Sequence, residues 1–193
     1  MRGCNHPSGG KYDRPFAAND GGFTLIELLV TISVLAILIV VAVPSFISVI
    51  NSNRLAAQAN DVVAALQLAR SEAVRRNTAV TVCRSNDGST CVTAAGQGQL
   101  LTFIDANANN TAQAAEILRT SAIKSPLRVS NSVARIAFRA DGLARTAANA
   151  LLPLTSIVVC LPTTQPAENR RVIELSGGSR VSTRSVDGGG ICP

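Results

Sequence analysis

A long apolar run near the start of the chain dominates its pattern of hydrophobic and polar positions. Residues 22–49 read GFTLIELLVTISVLAILIVVAVPSFISV, interrupted only by small hydroxyl residues, the acid Glu27 and Pro44. At ~1.5 Å per residue, such a run is long enough to cross the ~30 Å hydrocarbon core of a bilayer. The pattern therefore predicts a membrane-spanning helix. Its Glu27 carboxylate needs a partner, because an unpaired charge in lipid is costly.

The helical pattern continues beyond this run, with apolar residues confined to one side. They recur at alternating spacings of four and three, as Leu55, Ala59, Val62, Leu66, Ala69 and Ala73. Charged residues such as Asp61 and Arg70 fall outside this stripe, which is typical of a helix packed on a core. We therefore expect one helix from Phe23 to about Asn77, kinked at Pro44. Its second part, residues 51–77, would present the stripe to a sheet.

Beyond residue 78 the pattern changes to short strand-like segments separated by turn residues. The expected strands are residues 79–84, 100–104, 117–120, 134–139, 156–161, 171–175 and 179–185. Turn-forming residues lie between them, including Asn86-Asp87-Gly88, Asp141-Gly142 and Gly177-Gly178. The predicted fold class is α+β, with the long N-terminal helix packed on a mainly antiparallel β-sheet domain in residues 78–193.

The start of the apolar run resembles the N-terminus of type IV pilins and type II secretion pseudopilins. The matching residues are Gly22, Phe23, Thr24, Leu25, Ile26, Glu27, Leu28 and Leu29. The resemblance implies a pilin-like fold and a leader, residues 1–22, which prepilin peptidase removes by cutting after Gly22. It implies methylation of the new amino terminus at Phe23. It also implies that the Glu27 carboxylate neutralises the amino terminus of a neighbouring subunit in a filament.

The predicted leader is polar and has no apolar core of its own, unlike a classical cleaved signal peptide. We expect it to stay in the cytoplasm while residues 23–50 span the bacterial inner membrane and the C-terminal domain lies in the periplasm. The chain has a formal net charge of +6, and every basic residue after Gly22 lies at or beyond Arg54. The domain outside the membrane is therefore basic, which indicates an anionic partner.

Four cysteines follow the predicted leader: Cys83, Cys91, Cys160 and Cys192. An even number in an exported domain favours disulfides, but four cysteines allow three pairings and the sequence does not choose among them. Cys83 with Cys91 would staple the hairpin around Asp87, and Cys160 with Cys192 would tie the C-terminal tail to a central strand. A zinc site is less favoured because this part of the chain has neither a histidine nor CxxC spacing.

The chain beyond the leader also lacks the usual sets of catalytic residues. Its only histidine is His6, in the leader, so no histidine is left to act as the base for a nucleophile. Neither HExxH nor a phosphate-binding glycine loop with lysine is present. We therefore expect no enzymatic activity, no cofactor and no metal.

The later part of the chain resembles the GspH/FimT branch of the pilin superfamily. The resemblance involves Cys83, the turn and Cys91, then residues 100–105, 117–119 and 138–142, and a late strand with glycine and arginine. FimT-like proteins are associated with DNA capture through a motif of glycine, arginine, any residue and arginine. Here Gly178 is followed by Ser179 and Arg180, and the next arginine is Arg184, so the motif is not intact.

Arg180 and Arg184 are nevertheless candidates for DNA contact. Residues four apart point to the same side of a strand, so the two side chains would grip two phosphates along one backbone. Such binding depends steeply on salt and is largely insensitive to base sequence. The alternative is two solvated arginines on an exposed strand. Arg170 and Arg171 would extend the patch if they share its face, which the sequence leaves open.

Together these patterns predict a non-enzymatic minor pilin or pseudopilin. In the first hypothesis it is a type IV pilus subunit that contacts DNA through Arg180 and Arg184. In the alternative it is the H-type tip pseudopilin of type II secretion, which binds other pseudopilins or secreted proteins and no DNA. The expected partners are other pilins or pseudopilins, prepilin peptidase and inner-membrane lipid, with DNA or secreted proteins according to the hypothesis.

Overall fold

The computed structural model describes residues 22–105, 107, 109, 111–146, 150–176 and 179–193. Most of the predicted leader, with His6, and the predicted turn at residues 177–178 lie outside the described residues. The described chain divides into two compact units, one ending at Val40 and one from Val41 to Pro193. The globular core belongs to the second unit.

The helix α1 spans Leu25–Arg76, close to the predicted limits, and continues through Pro44. The predicted stripe from Leu55 to Ala73 is buried, each of its residues being no more than 2% exposed. Gln58 and Ala65 are buried beside it. The expectation that the second part of the helix packs on a core is therefore confirmed.

The strands follow the helix in a continuous series. They are β1 (Val80–Ser85), β2 (Gly98–Ile104), β3 (Ile117–Ile123), β4 (Arg128–Asn131), β5 (Arg135–Phe138), β6 (Ala144–Arg145), β7 (Thr155–Cys160), β8 (Arg170–Ser176) and β9 (Arg180–Val186). The predicted strands match seven of them to within three residues at each end, whereas β4 and β6 were not predicted. Both unpredicted strands are short, so neither shows a clear alternation of apolar and polar residues.

The strands form two antiparallel sheets, where the sequence suggested one. One sheet has the order β3-β2-β1-β5-β6, and the other has the order β4-β7-β8-β9. The division falls between β3 and β4, which are consecutive in the chain but belong to different sheets. The turn between them is closed by a hydrogen bond from the amide of Leu127 to the carbonyl of Lys124.

One apolar core joins the helix to both sheets. The buried stripe of α1 packs in the same cluster as Val82 and Phe138 of the five-stranded sheet and Val159 and Ile173 of the four-stranded sheet. Four members of the cluster on the helix are alanines, whose small side chains allow a helix to approach its neighbours closely. The fold therefore depends on α1 as the shared inner layer of both sheets.

A second, smaller core covers the other face of the five-stranded sheet. It consists of Cys83, Leu101, Phe103 and Ala112, with Cys91 and Ile117 packed against it. Cys83 and Cys91 form a disulfide, which holds the loop after β1 against this face. Because both faces of β1 are covered, all six of its residues are buried.

The loop after β1 is also held by Arg84, which is only 1% exposed. Its guanidinium donates to the carbonyls of Ala94 and Gln97 and, over 2.7 Å, to Oδ1 of Asn86. Burial lowers the pKa of this guanidinium. Arg84 therefore fixes the path of the chain from β1 to β2 without an acidic partner among the described residues.

Because the stripe on α1 is buried, shortening one of its large side chains should strongly destabilise the fold. Leu66→Ala should lower the free energy of unfolding by about 2–5 kcal/mol, because it removes buried methyl groups and leaves a cavity. Thermal unfolding of the full chain in nonionic detergent, followed by circular dichroism, measures the change. Gln67→Ala, at the neighbouring exposed position, is the matched control. Equal stability of the two variants would contradict the packing described here.

The turn closed by the Cys83–Cys91 disulfide predicts a pH dependence. Asp87 accepts hydrogen bonds from the side chains of Ser85 and Thr90 and from two backbone amides, which hold its pKa well below the usual range. A carboxyl with a lowered pKa stabilises the fold above its unfolded pKa of about 3.9, and this contribution is lost as the pH falls. Asp87→Asn should therefore unfold at a lower temperature than the wild type at neutral pH. The difference should shrink in acid, and a difference independent of pH would refute the role of the charge.

Candidate functional site

The first turn of α1 combines a helix cap with an acidic side chain. Thr24 precedes the helix, and its Oγ1 accepts a hydrogen bond of 3.2 Å from the backbone amide of Glu27. This is the usual N-cap arrangement, in which a threonine oxygen satisfies an amide that has no partner within the helix. The cap thus fixes where the helix begins and places Glu27 in its first turn.

The carboxylate of Glu27 has no hydrogen bond or ion pair with any residue in the described part of the chain. Its residue is exposed, and an acid in the first turn is favoured by the positive end of the helix dipole. The side chain is therefore available to a cation supplied by another molecule. At Gly22, where cleavage is predicted, a Cβ added to the backbone would meet no heavy atom of the described residues within 4 Å.

The N-terminal part of α1 is apolar on all its sides and exposed. It contains an 18-residue window with a mean hydropathy of 2.9, which makes α1 the one helix in the described residues that is apolar enough to cross a membrane. The hydroxyls of Thr31 and Ser33 donate to carbonyls one turn earlier, so they leave no unsatisfied donor. This surface suits lipid or the apolar helices of other subunits.

The second candidate site lies on β9, at the edge of the four-stranded sheet. In its register with β8, Arg180 is opposite Ser176 and Arg184 is opposite Val172. The strand is regular over these residues, so both arginines lie on the same face, as their spacing predicted. Both residues are exposed.

The two arginines differ in their partners. The Nε atom of Arg184 is 3.0 Å from Oε1 of Glu174 on the neighbouring strand. The side chain of Arg184 remains 58% exposed. For Arg180, no acceptor is found in the described part of the chain. A phosphate at Arg184 must therefore compete with a carboxylate, whereas a phosphate at Arg180 need not.

Arg170 and Arg171 do not extend this patch. Arg171 lies on the opposite face of β8 and donates to Oγ of Ser52 over 3.1 Å. Arg170 shares the face of Arg184, but its Nη2 donates to the carbonyl of Ile191 over 2.8 Å. Each guanidinium is therefore used to hold the fold together.

The C-terminal tail explains the position of Arg170. A disulfide joins Cys160 of β7 to Cys192, and Asn169 accepts a hydrogen bond of 2.9 Å from the amide of Gly188. The tail thus lies against the outer end of the sheet, where it occupies Arg170. Of the three possible cysteine pairings, the structure has the one that joins Cys83 to Cys91 and Cys160 to Cys192.

The sequence reasoning missed two residues on the face of the four-stranded sheet that carries Arg180 and Arg184, Glu174 on the strand next to β9 and Arg128 on the opposite edge strand. Glu174 pairs with Arg184, and Arg128 on β4 is an exposed arginine on the same face of the sheet. Neither could be assigned without the strand order, because both depend on which strands are neighbours.

In the described residues, no group of three or more His, Cys, Asp or Glu side chains is arranged to hold a metal ion.

Comparisons with known proteins match both parts of the chain. The family described as prokaryotic N-terminal methylation motif matches residues 18–43, and the family described as type II transport protein GspH matches residues 58–179. Two crystal structures of the type IV minor pilin FimU from Pseudomonas aeruginosa are similar, each with 22% sequence identity. One has a TM-score of 0.47 and covers 67% of this chain and 92% of FimU. The other has a TM-score of 0.49, with 69% and 90% covered. No curated protein matches the chain significantly.

Proposed function

The chain belongs to the GspH family of type II transport proteins, and we propose that it is a non-enzymatic minor pilin or pseudopilin built into a filament. The observation that carries the proposal is the methylation motif at residues 18–43. It coincides with an exposed apolar helix whose first turn carries Glu27, a carboxylate without a partner in the described chain. A helix that is apolar on all sides and carries one acid is suited to assembly with copies of similar helices.

The processing of the subunit and its location in the membrane are proposed from this same N-terminal segment. Prepilin peptidase cuts after Gly22 and methylates Phe23, while residues 23–50 anchor the subunit in the inner membrane. The leader lies in the cytoplasm and the C-terminal domain in the periplasm. The two disulfides support this orientation, because disulfides persist in an oxidising compartment.

Assembly then depends on the charge of Glu27. Cleavage creates an amino terminus at Phe23, which carries a positive charge. When helices pack in the filament, the Glu27 carboxylate of one subunit pairs with the amino terminus of another. Burying either charge alone is costly, so the pair favours the assembled state over subunits placed out of register.

Glu27→Ala should insert into the membrane normally but enter filaments poorly, because removing one partner of a buried ion pair costs roughly 3–5 kcal/mol. Membrane fractions and sheared filaments, probed for the subunit, measure the two steps. Thr24→Ala is the control, because it removes the helix cap and keeps the carboxylate. Normal incorporation of Glu27→Ala would eliminate charge pairing as the basis of assembly.

DNA capture is the more specific function that we propose for the periplasmic domain. The exposed arginines of β9 support it, as does the excess of basic residues beyond Arg54. The alternative is an H-type tip pseudopilin that contacts other pseudopilins or secreted proteins without DNA. The pairing of Arg184 with Glu174 favours this alternative, because it neutralises one of the two arginines.

DNA binding by the full chain in nonionic detergent, titrated against salt, distinguishes these functions. Arg180→Ala with Arg184→Ala should weaken binding and lower the salt slope, by about 0.9 for each phosphate that is no longer neutralised. Glu174→Gln should strengthen binding because it releases Arg184. Arg54→Ala with Lys124→Ala removes the same charge elsewhere and is the control. If the wild type does not bind DNA at low salt, the proposal of DNA capture fails and the pseudopilin alternative remains.

A further inference from the structure

The edges of the two sheets differ in what covers them. At one edge of the four-stranded sheet, Val129 of β4 exchanges backbone hydrogen bonds of 3.1 and 2.9 Å with Gly96. At one edge of the five-stranded sheet, the carbonyl of Ala144 in β6 accepts a hydrogen bond of 2.9 Å from the amide of Leu152. Both edges are therefore covered by other segments of this chain.

The other edge of the five-stranded sheet is β3, and it is irregular. Its register with β2 shifts between Thr102 and Phe103, so Leu118 has no residue opposite it on β2. A bulge of this kind twists an edge strand and interrupts its pattern of backbone groups, which discourages another strand from pairing with it. Three of the four sheet edges in the described chain are thus covered or interrupted.

The fourth edge is β9, which is regular and uncovered. All seven of its residues pair with β8 without a shift in register. On its outer edge, the side away from β8, no backbone hydrogen bond joins it to any described residue. Five of the seven residues are exposed, including Thr183 and Ser185 on the face that is directed to α1. The strand therefore projects beyond the helix and presents its outer backbone groups to solvent.

An edge of this kind can bind an extended segment by strand addition. Backbone hydrogen bonds hold the added segment, and alternate side chains of the segment meet each face of the sheet. The backbone groups accept any sequence that can extend. The side chains of β9 therefore determine which segments fit.

The charge of β9 favours an acidic segment. Val181 packs against the core, so Arg180, Ser182 and Arg184 lie on the face turned away from α1. The strand itself carries no acidic residue. Glu174 contacts Arg184, but the side chain of Arg184 remains 58% exposed. An acidic side chain beside either arginine would form a favourable cross-strand pair, whereas a basic one would be repelled.

The same arginines disfavour a second copy of this chain as the added strand. If two β9 strands paired antiparallel along their full length, Ser182 of each would lie opposite Arg184 of the other. All four arginines would then share one face, and Arg184 would be diagonal to both arginines of the other copy, at roughly 7–8 Å. Charged side chains on an edge strand commonly prevent self-association in this way.

From these observations we infer that the outer edge of β9 binds an extended acidic segment of another protein, which adds to the four-stranded sheet as a fifth strand. The acidic residues of the segment occupy alternate positions, so that they share the face of Arg180 and Arg184. The inference goes beyond DNA capture and does not rest on it, because the contact is made through the backbone of β9. It gives a partner protein a defined place on the domain.

The first test is peptide binding by the full chain in nonionic detergent at low salt, measured by fluorescence anisotropy. The probe is a labelled peptide of the length of β9 in which glutamate alternates with threonine, and lysine replaces glutamate in the control peptide. The glutamate peptide should bind about tenfold or more tightly than the lysine peptide. Arg180→Glu with Arg184→Glu should reverse this preference without changing the thermal unfolding temperature by more than a few degrees. If the glutamate peptide does not bind, the inference is overturned.

Two modified peptides separate strand addition from attraction between charges alone. In one, the backbone amides of the glutamates are methylated, and in the other, those of the threonines, so both keep every charge. A strand directs alternate amides towards its neighbour. One of the two peptides should therefore bind about tenfold or more weakly than the unmodified peptide, and the other should bind like it. If the two modified peptides bind alike, the segment is not paired as a strand and the inference is overturned.

Amide hydrogen exchange locates the contact. The glutamate peptide should slow exchange in β9 and leave exchange in β3, the other edge without a covering segment, unchanged. Slower exchange in β3 alone would place the site on the wrong edge and overturn the inference. A dimer of the chain without peptide, detected by light scattering and protected in β9, would make a second copy the occupant and overturn the assignment to another protein.

The outcomes also distinguish this inference from DNA capture. If the glutamate peptide binds as expected and a DNA duplex does not bind, the docking edge stands and DNA capture fails. If the duplex binds and the glutamate peptide does not, DNA capture stands and the docking edge is overturned.

Discussion

The change in surface along α1 is the constraint on which the rest of the structure depends. Up to about Ile50 apolar side chains surround the helix. Beyond Asn53 most of the large ones lie on the stripe that is buried beneath two sheets, and Val74 is the exposed exception. Apolar surface is stabilised by leaving water at roughly 25 cal/mol per Å², so both parts must be covered. The chain covers the stripe with its own strands. The first part has no such cover in the described chain and needs lipid or other helices, which is why the protein is suited to a membrane and a filament.

The domain has few acids. The position of each acid therefore determines which arginines form an ion pair within the domain and which can bind an anion from another molecule. Glu72 occupies two arginines at the end of α1, and Glu174 occupies Arg184 on β9. Exposed ion pairs of this kind contribute little to stability, so their main consequence is for recognition. The unoccupied arginines then set the anionic ligands that the surface can bind. Towards the other end of the chain, the carboxylate of Glu27 has no partner among the described residues, so it is available to a cation from another molecule.

The disulfides and the buried Arg84 secure loops that the apolar core cannot hold. Aromatic residues are few, and the cores are made mainly of aliphatic side chains, which leaves the loop after β1 and the C-terminal tail with little apolar surface to bury. Cys83–Cys91 holds the first, and Cys160–Cys192 holds the second. Fixing the tail has a further effect, because the tail carbonyls occupy Arg170 and remove it from the basic face of β9.

The sequence by itself determined the features that depend on local periodicity. The limits of α1, its stripe, most of the strands and the position of Glu27 all follow from spacings of a few residues, because helices and strands repeat over that distance. Only the tertiary structure decided which strands are neighbours. The division into two sheets, the short polar strand β4, the cysteine pairing, the opposite faces of Arg170 and Arg171, and the pairing of Arg184 with Glu174 join residues distant in the chain. Such contacts depend on the packing of whole elements, and no local pattern of residues records them.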